Sequence, residues 1–267
     1  MAQVTILVPN YKTPELTKLC LRLIRKHTDP ELAKVVVIDN DSQDESVDYL
    51  KSLSWITLLE RKAEPEETGP QAHARAIDLA LEQIDTPYVL LIHTDTLVKR
   101  NDWLEYLLKE IQKEPNTAGV GSWKLEFKPW HKLLAKKAET FVQTNVYKLI
   151  GKTDHQISGL GDNFYYLRSH CALYDMRIIN KHQLAIGTRE TVGKMLHKQL
   201  EDLGYKMKFL PSETLANYME HLNHATAVLN PQLGSRKSTI KKGTKRIVKS
   251  LQRFNSDEVL ADSSLDQ

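Results

Sequence analysis

His93, Thr94 and Asp95 follow the apolar run Tyr88–Ile92, so a carboxylate stands at the mouth of a hydrophobic strand. A buried charge without a partner is costly there. A hard divalent cation is one suitable partner, because it takes carboxylate oxygens on one side and grips phosphate oxygens on the other. A second acidic strand end lies earlier, where "KVVVID" runs into Asp39, Asn40, Asp41 and Ser42. A carboxylate in that place accepts hydrogen bonds from a ribose or a base. The two together describe a site for a nucleotide diphosphate. Asp39 and Asp41 taken singly also suit plain helix caps, and it is the convergence of several strand ends that favours a ligand.

The elements that must position these groups follow from periodicity. "VTILVP" and "KVVVID" are short β-branched runs, and between them Leu16, Leu19, Leu23 and Ile24 share one helical face. "ESVDYLKSL", "ITLLE", "AHARAIDLALEQI" and "YVLLIH" continue the alternation of helix and strand. Strands buried on both faces and separated by helices predict a mostly parallel α/β sheet over the first hundred residues. Ligands of such sheets bind at the carboxyl ends of the strands, which gather Pro9, Asn10 and Tyr11 beside the two acidic ends. "NDWLEYLLKEIQKE" reads as a capped amphipathic helix. "RETVGKMLHKQLEDLGYKMKFLP" reads as a helix with a stripe of Met195, Leu196, Leu200 and Leu203, a stop at Gly204 and a strand after it.

With 267 residues, 41% hydrophobic and 27% charged, the chain suits one ordinary domain with an appendage. No apolar stretch approaches the ~20 residues of a membrane span, and no basic leader precedes Val4, so a cytoplasmic location is expected. Cys20 and Cys171 lack metal-ligand spacing, which argues against a disulfide framework or a zinc site. No glycine-rich phosphate loop follows a strand, which disfavours dinucleotide oxidoreductases and P-loop enzymes.

At these residues the sequence resembles the inverting family 2 glycosyltransferases. "VTILVPNYKTPELTKLCLRLIRKHT", "VVVIDNDSQDES", "TPYVLLIHTDTLVKRNDWLEYLL" and "LEDLGYKMKFLP" carry the resemblance, well over residues 4–114 and more loosely over 159–226. It implies a GT-A fold, a sheet flanked by helices with a nucleotide-binding half and an acceptor-binding half. It also implies transfer of a sugar from a UDP- or dTDP-sugar to a hydroxyl acceptor with inversion, in polysaccharide, lipopolysaccharide or capsule assembly. Carried over, Pro9, Asn10, Tyr11, Asp39, Ser42, Arg75, His93, Thr94 and Asp95 become donor contacts.

The family's Asp-any-Asp motif stands here as His93-Thr94-Asp95. Asp95 keeps the role of ligand to Mn2+ or Mg2+, while His93 fits a ribose contact, a coordination position or a plain strand end. His221 and His224 in "NYMEHLNHATAVLNP" are the further metal candidates, and His221 with Thr226 has the better spacing. The catalytic base corresponds to Glu190 in "TRETVGKML", with Asp162 in reserve. Asp162 and His170 are the acceptor-side candidates. Two rivals share much of this pattern: a nucleotidyltransferase, and a nucleotide-binding protein of the same fold without turnover.

The C-terminal portion is set apart by charge. Residues 1–232 form the expected catalytic domain, and 233–267 a basic segment. Ile240, Ile247, Val248, Leu251 and Phe254 alternate with lysines and arginines at helical spacing, describing a cationic amphipathic helix. Such a helix either rests on an anionic membrane, near a lipid-linked acceptor, or packs its apolar stripe on the domain. It lacks interleaved aromatics, so nucleic acid is not the expected partner. The acidic end "SDEVLADSSLDQ" is expected to fray.

Overall fold

The structure, a computed structural model, describes residues 1–125, 164–187, 191–223, 225–230 and 237–267. Strand β1 (Val4–Asn10) pairs in parallel with β2 (Ala33–Asn40), and helix α1 (Pro14–His27) makes the crossover. Helix α2 (Glu45–Ser52) leads to β3 (Ile56–Arg61) on the far side of β2. Helix α3 (Gly69–Leu81) then carries the chain back across the sheet to β4 (Tyr88–Ile92), on the other side of β1. The chain therefore leaves β1 in opposite directions, and this reversal opens a crevice at the strand ends.

Beyond β4 lie β5 (Thr96–Val98), α4 (Trp103–Gln112) and β6 (Thr117–Gly121). After residue 163 come β7 (Cys171–Asp175), α5 (Met176–Lys181), α6 (Lys194–Asp202) and β8 (Lys206–Phe209). The main sheet has the order β3-β2-β1-β4-β7-β6-β8, and only β7 runs against its neighbours. That one reversal matters for the site. The start of β7, unlike the starts of the parallel strands, lies beside their carboxyl ends.

Both faces of the sheet are covered, as the continuous apolar runs require. Ile6, Val8, Val35 and Val37 face α1 and α4, while Leu7, Val36 and Ile38 face α3 and α6. The predicted face of α1 is buried in full. In α6 the predicted stripe is only half right. Leu196 and Leu200 are buried, but Met195 and Leu203 are 45% and 48% exposed, and His197 takes the inward position beside Phe164 and Phe209. Gly204 does follow the helix end, with the left-handed φ of 85° that glycine adopts without strain.

The chain ends with α7 (Ser212–Leu215), β9 (Met219–His221), α8 (Ala225–Leu229), α9 (Lys237–Arg253), α10 (Ser256–Ala261) and a 3-10 turn, Ser263–Asp266. Helix α9 turns most of its apolar stripe inward: Ile247 is buried and Leu251 and Phe254 pack on the core, while Val248 is exposed. Lys241, Lys242, Lys245 and Lys249 stay exposed. The acidic end does not fray. Val259 is buried, and Asp266 pairs with Arg22, which lies on α1 with 2% of its side chain exposed. A buried guanidinium needs a carboxylate, and the expected disorder gives way to that demand. Among the described residues no helix is long and apolar enough to cross a membrane.

Candidate active site

The crevice at the ends of β1, β2 and β4 is a cavity of ≈ 590 Å³. Its wall is laid down strand by strand. Asn10 closes β1 and is wholly buried; its amide donates to Asp39 Oδ1 at 2.7 Å and Ser46 Oγ at 2.8 Å, and lies 3.1 Å from Ser42 Oγ. Asp39 Oδ2 accepts from the Ser42 amide at 3.1 Å. Asp39 and Ser42 thus fasten the β1 and β2 ends together and do not line the cavity, whereas Asn40, Pro9, Asn10 and Tyr11 do. Arg75 points to Glu64 and Glu67, 3.0 Å from the latter, and is likewise not a lining residue.

Asp95 lies within a tight turn in which the Thr96 amide donates back to His93 O. Strand β5 then pairs antiparallel with β9, opposing Thr96 to His221. This register brings an imidazole from 126 residues further along the chain to Asp95, with His221 Nε2 3.2 Å from Asp95 Oδ1. His93 Nδ1 stands 3.9 Å from the same oxygen. Asp95 Oδ2 accepts from the Ala225 amide at 3.2 Å, at the start of α8. Burial on its own would raise the Asp95 carboxyl; the His221 and His93 imidazoles and the Ala225 amide outweigh it and hold the group well below the usual carboxylate range.

His93, Asp95 and His221 offer ligand atoms that all lie within 4.8 Å of one another. Asp95 Oδ1 and His221 Nδ1 are buried without a hydrogen-bond partner. Buried orphans of this kind are what a bound cation would complete. Two imidazoles and a carboxylate suit a divalent transition metal, Mn2+ included, better than Mg2+. Ser169 Oγ supports the cluster from behind, 2.8 Å from His93 Nε2 and 3.2 Å from His73 Nε2. This chain is satisfied when His93 Nε2–H donates to Ser169 and Ser169 donates to His73, which leaves the His93 Nδ1 lone pair facing Asp95.

His170 lies against the same group. It is buried, 2.9 Å from Ser122 Oγ, and stacked on His221 with ring centroids 4.4 Å apart. Thr94 is buried against Thr13, and Thr226 completes the wall. Glu190, Asp162 and His224 lie outside the described residues.

Three further residues of the site, His73, Arg168 and Ser169, are not singled out by the sequence pattern. For His73 a signal exists, since Gly69, Ala72 and His73 share the small-residue face of α3 that lines the cavity, while Arg75 lies on another. Arg168 and Ser169 precede β7, and only the antiparallel course of that strand brings them to the site.

Burial depresses the imidazoles of His73, His93, His170 and His197. His73 is pushed down to about 4, His93 to about 3 and His197 to about 4, and His170 sits well below 6.5. An imidazole that titrates lower in the folded chain than at the unfolded value of ~6.5 binds fewer protons when folded. Stability is therefore present in full above that value and declines as pH falls towards about 4. The melting temperature of metal-free protein should drop steadily from pH 7 to pH 4.5, and a flat profile would contradict this account.

A family model, glycosyl transferase family 2, matches residues 5–183. The chain belongs to this family. The match begins in β1 and runs past β7, so it takes in the β1 and β2 ends, His93, Asp95 and the Arg168–His170 wall. The teichoic acid poly(glycerol phosphate) polymerase of Staphylococcus epidermidis is 29% identical over 102 residues, which are 36% of this chain and 13% of that one. Among solved structures, S. aureus TarS 1-349 superposes with a TM-score of 0.53 and 13% identity, covering 98% of this chain and 70% of the other. The same protein in complex with UDP-GlcNAc gives 0.50 and 14%, over 98% and 71%. A mannosyltransferase from Pyrobaculum calidifontis, solved with GDP-Man and Mn2+, gives 0.51 and 17%, over 78% and 55%. At these identities the superpositions establish the shared GT-A-type fold.

Proposed function

We propose that this family 2 member is an active inverting glycosyltransferase that takes a nucleotide-diphosphate sugar and transfers the sugar to a hydroxyl of a cell-surface polymer. The observation that carries the proposal is the meeting of His93, Asp95 and His221 at the mouth of a cavity whose other wall is the β1 and β2 strand ends. Pro9, Asn10, Tyr11 and Asn40 provide the nucleoside end, ordered from beneath by Asp39 and Ser42. His93, Asp95 and His221 would hold the cation, which when bound supplies Lewis-acid stabilisation to the departing diphosphate. The acceptor oxygen attacks the anomeric carbon as the bond to the diphosphate oxygen breaks, and a carboxylate on the acceptor side takes the hydroxyl proton.

Glu190 is the proposed base. The chain flanking it is tied down: the Gly193 amide donates to Ile186 O at 3.0 Å, and Gly193 sits close to the Leu167 carbonyl, next to Arg168. Among the described lining residues the carboxylates are Asp95 and Glu67, and Glu67 is engaged by Arg61 and Arg75. The nucleotide-sugars bound by the mannosyltransferase and TarS, and the teichoic acid product of the polymerase, support the substrate classes. The exposed lysines of α9 suit an anionic surface, so we place the enzyme peripherally on the cytoplasmic membrane face.

Release of nucleoside diphosphate from a panel of UDP-, dTDP- and GDP-sugars with Mn2+ tests the proposal, and proton NMR of the product reads its anomeric configuration. Nucleotide binding without release under any condition would favour the non-catalytic reading. Substituting His93→Asp restores two carboxylates and hardens the donor set. The ratio of Mg2+- to Mn2+-supported turnover should then rise by roughly tenfold. An unchanged ratio would remove His93 from the metal set.

A further inference from the structure

Arg168 is the one lysine or arginine among the described residues that line the cavity. Its backbone is fixed, with its amide donating to Ser122 O at 2.9 Å and its carbonyl accepting from Cys171 at 3.0 Å. The guanidinium carbon lies 4.4 Å from the centroid of the Trp123 ring and 5.0 Å from that of Tyr166. A guanidinium held against two aromatic rings is oriented by its flat surfaces and leaves its edge for ligands. Its Nε is buried and has no hydrogen-bond partner, and among the described residues no carboxylate pairs with it. Contrast Arg22, Arg61, Arg75 and Arg177, each of which is paired with an acid.

A half-buried guanidinium with a fixed plane and a buried Nε that no described residue satisfies is completed by an anion. Among the described residues the neighbours supply none: Ser169 and His170 beside it are neutral, and Asp95 is enclosed by His93 and His221. We propose that Arg168 is an oxyanion-binding residue, taking a phosphate of the substrate pair on the cavity wall formed by the start of β7. The source is either the donor diphosphate or a phosphate carried by the acceptor, and in naming these two the assignment rests on the nucleotide-sugar reading above.

Calorimetric titration in metal-free buffer tests this directly, with inorganic pyrophosphate and glycerol 3-phosphate as probes and UDP, GDP and uridine beside them. Wild type is expected to bind at least one of the two phosphate probes. Arg168→Gln should weaken that binding at least about tenfold, and Arg168→Lys, which keeps the charge but not the planar fork, should fall between. Should Arg168→Gln fail to fold, Arg168→Lys carries the comparison.

A loss shared by pyrophosphate and UDP but absent for uridine assigns the donor diphosphate as the source, and a loss confined to glycerol 3-phosphate assigns the acceptor. A change under about twofold for both probes, or no binding of either by wild type, overturns the assignment. If pyrophosphate binding depends on Arg168 but UDP and GDP bind no more tightly than pyrophosphate, the anion site stands and the nucleotide-sugar reading falls. Tight nucleotide binding indifferent to Arg168 removes the anion site and leaves the nucleotide-sugar reading in place.

Discussion

Asp95→Asn is expected to lower kcat/KM for sugar transfer by at least about 100-fold and to abolish the response of the protein to Mn2+. The substitution keeps the size of the side chain and an oxygen for the Ala225 amide, so the start of α8 retains its partner. What it removes is the negative charge between His93 and His221 and a buried oxygen that has no other partner. A cation at about 100 times its Kd adds about 2.7 kcal/mol to the stability of the chain that binds it. For a protein of this size that corresponds to a rise in Tm of roughly 5–10 °C. Wild type should show such a rise with Mn2+, and Asp95→Asn should melt at a metal-independent temperature. Retention of both turnover and the Mn2+ shift by the variant would dismiss the metal site.

The contrast between Asp95 and its partners shows what the sequence makes legible. Asp95 is visible because it follows a five-residue apolar strand, and the strand-end rule needs only local pattern. The alternation of elements over β1 to β4 is visible for the same reason, since apolar runs and helical faces repeat at short range. His221 is visible as a candidate, but its choice over an outward face depends on the β5–β9 register, a pairing between segments far apart in the chain. Arg168 and Ser169 are not visible. Their place follows from β7 entering the sheet antiparallel, which no local pattern in "FYYLRSHCALY" announces. Arg75 attracts attention as the basic residue of its helix, yet Glu64 and Glu67 claim it, and a carboxylate brought by a loop is a tertiary fact.

The acidic C-terminal end departs from expectation for a different reason. Composition describes the end alone, whereas the deciding residue lies on α1. Arg22 sits within "LCLRLIRK", on a helix whose neighbouring positions Leu19, Leu21, Leu23 and Ile24 are all buried, and an arginine among them requires a partner from elsewhere. The partner is the tail. Arg22 Nε donates to Asp266 Oδ1 at 2.8 Å, and Nη1 donates to the carbonyls of Val259 at 3.0 Å and Leu260 at 2.5 Å. Tyr49 adds its hydroxyl to Asp266 at 2.9 Å, and the Arg22 guanidinium and Tyr49 hydroxyl together hold the Asp266 carboxyl below its ordinary range despite the opposing effect of burial.

Asp266→Ala should therefore destabilise the whole domain and not the tail alone, because it leaves the Arg22 charge buried with only carbonyl partners. Breaking a buried ion pair from one side costs about 3–5 kcal/mol, and the 22% exposure of Asp266 moves the expectation to about 2–4 kcal/mol. That is a fall in Tm of roughly 4–16 °C. The cost lies in the stranded cation, so removing the cation as well should restore much of the loss: Arg22→Met with Asp266→Ala is expected to melt well above Asp266→Ala alone. Thermal melts of wild type, the two single variants and the double variant close the cycle. Additive losses in the double variant would show that the two residues stabilise the fold independently, and the tail would then be an ornament on α1 and not its counterion.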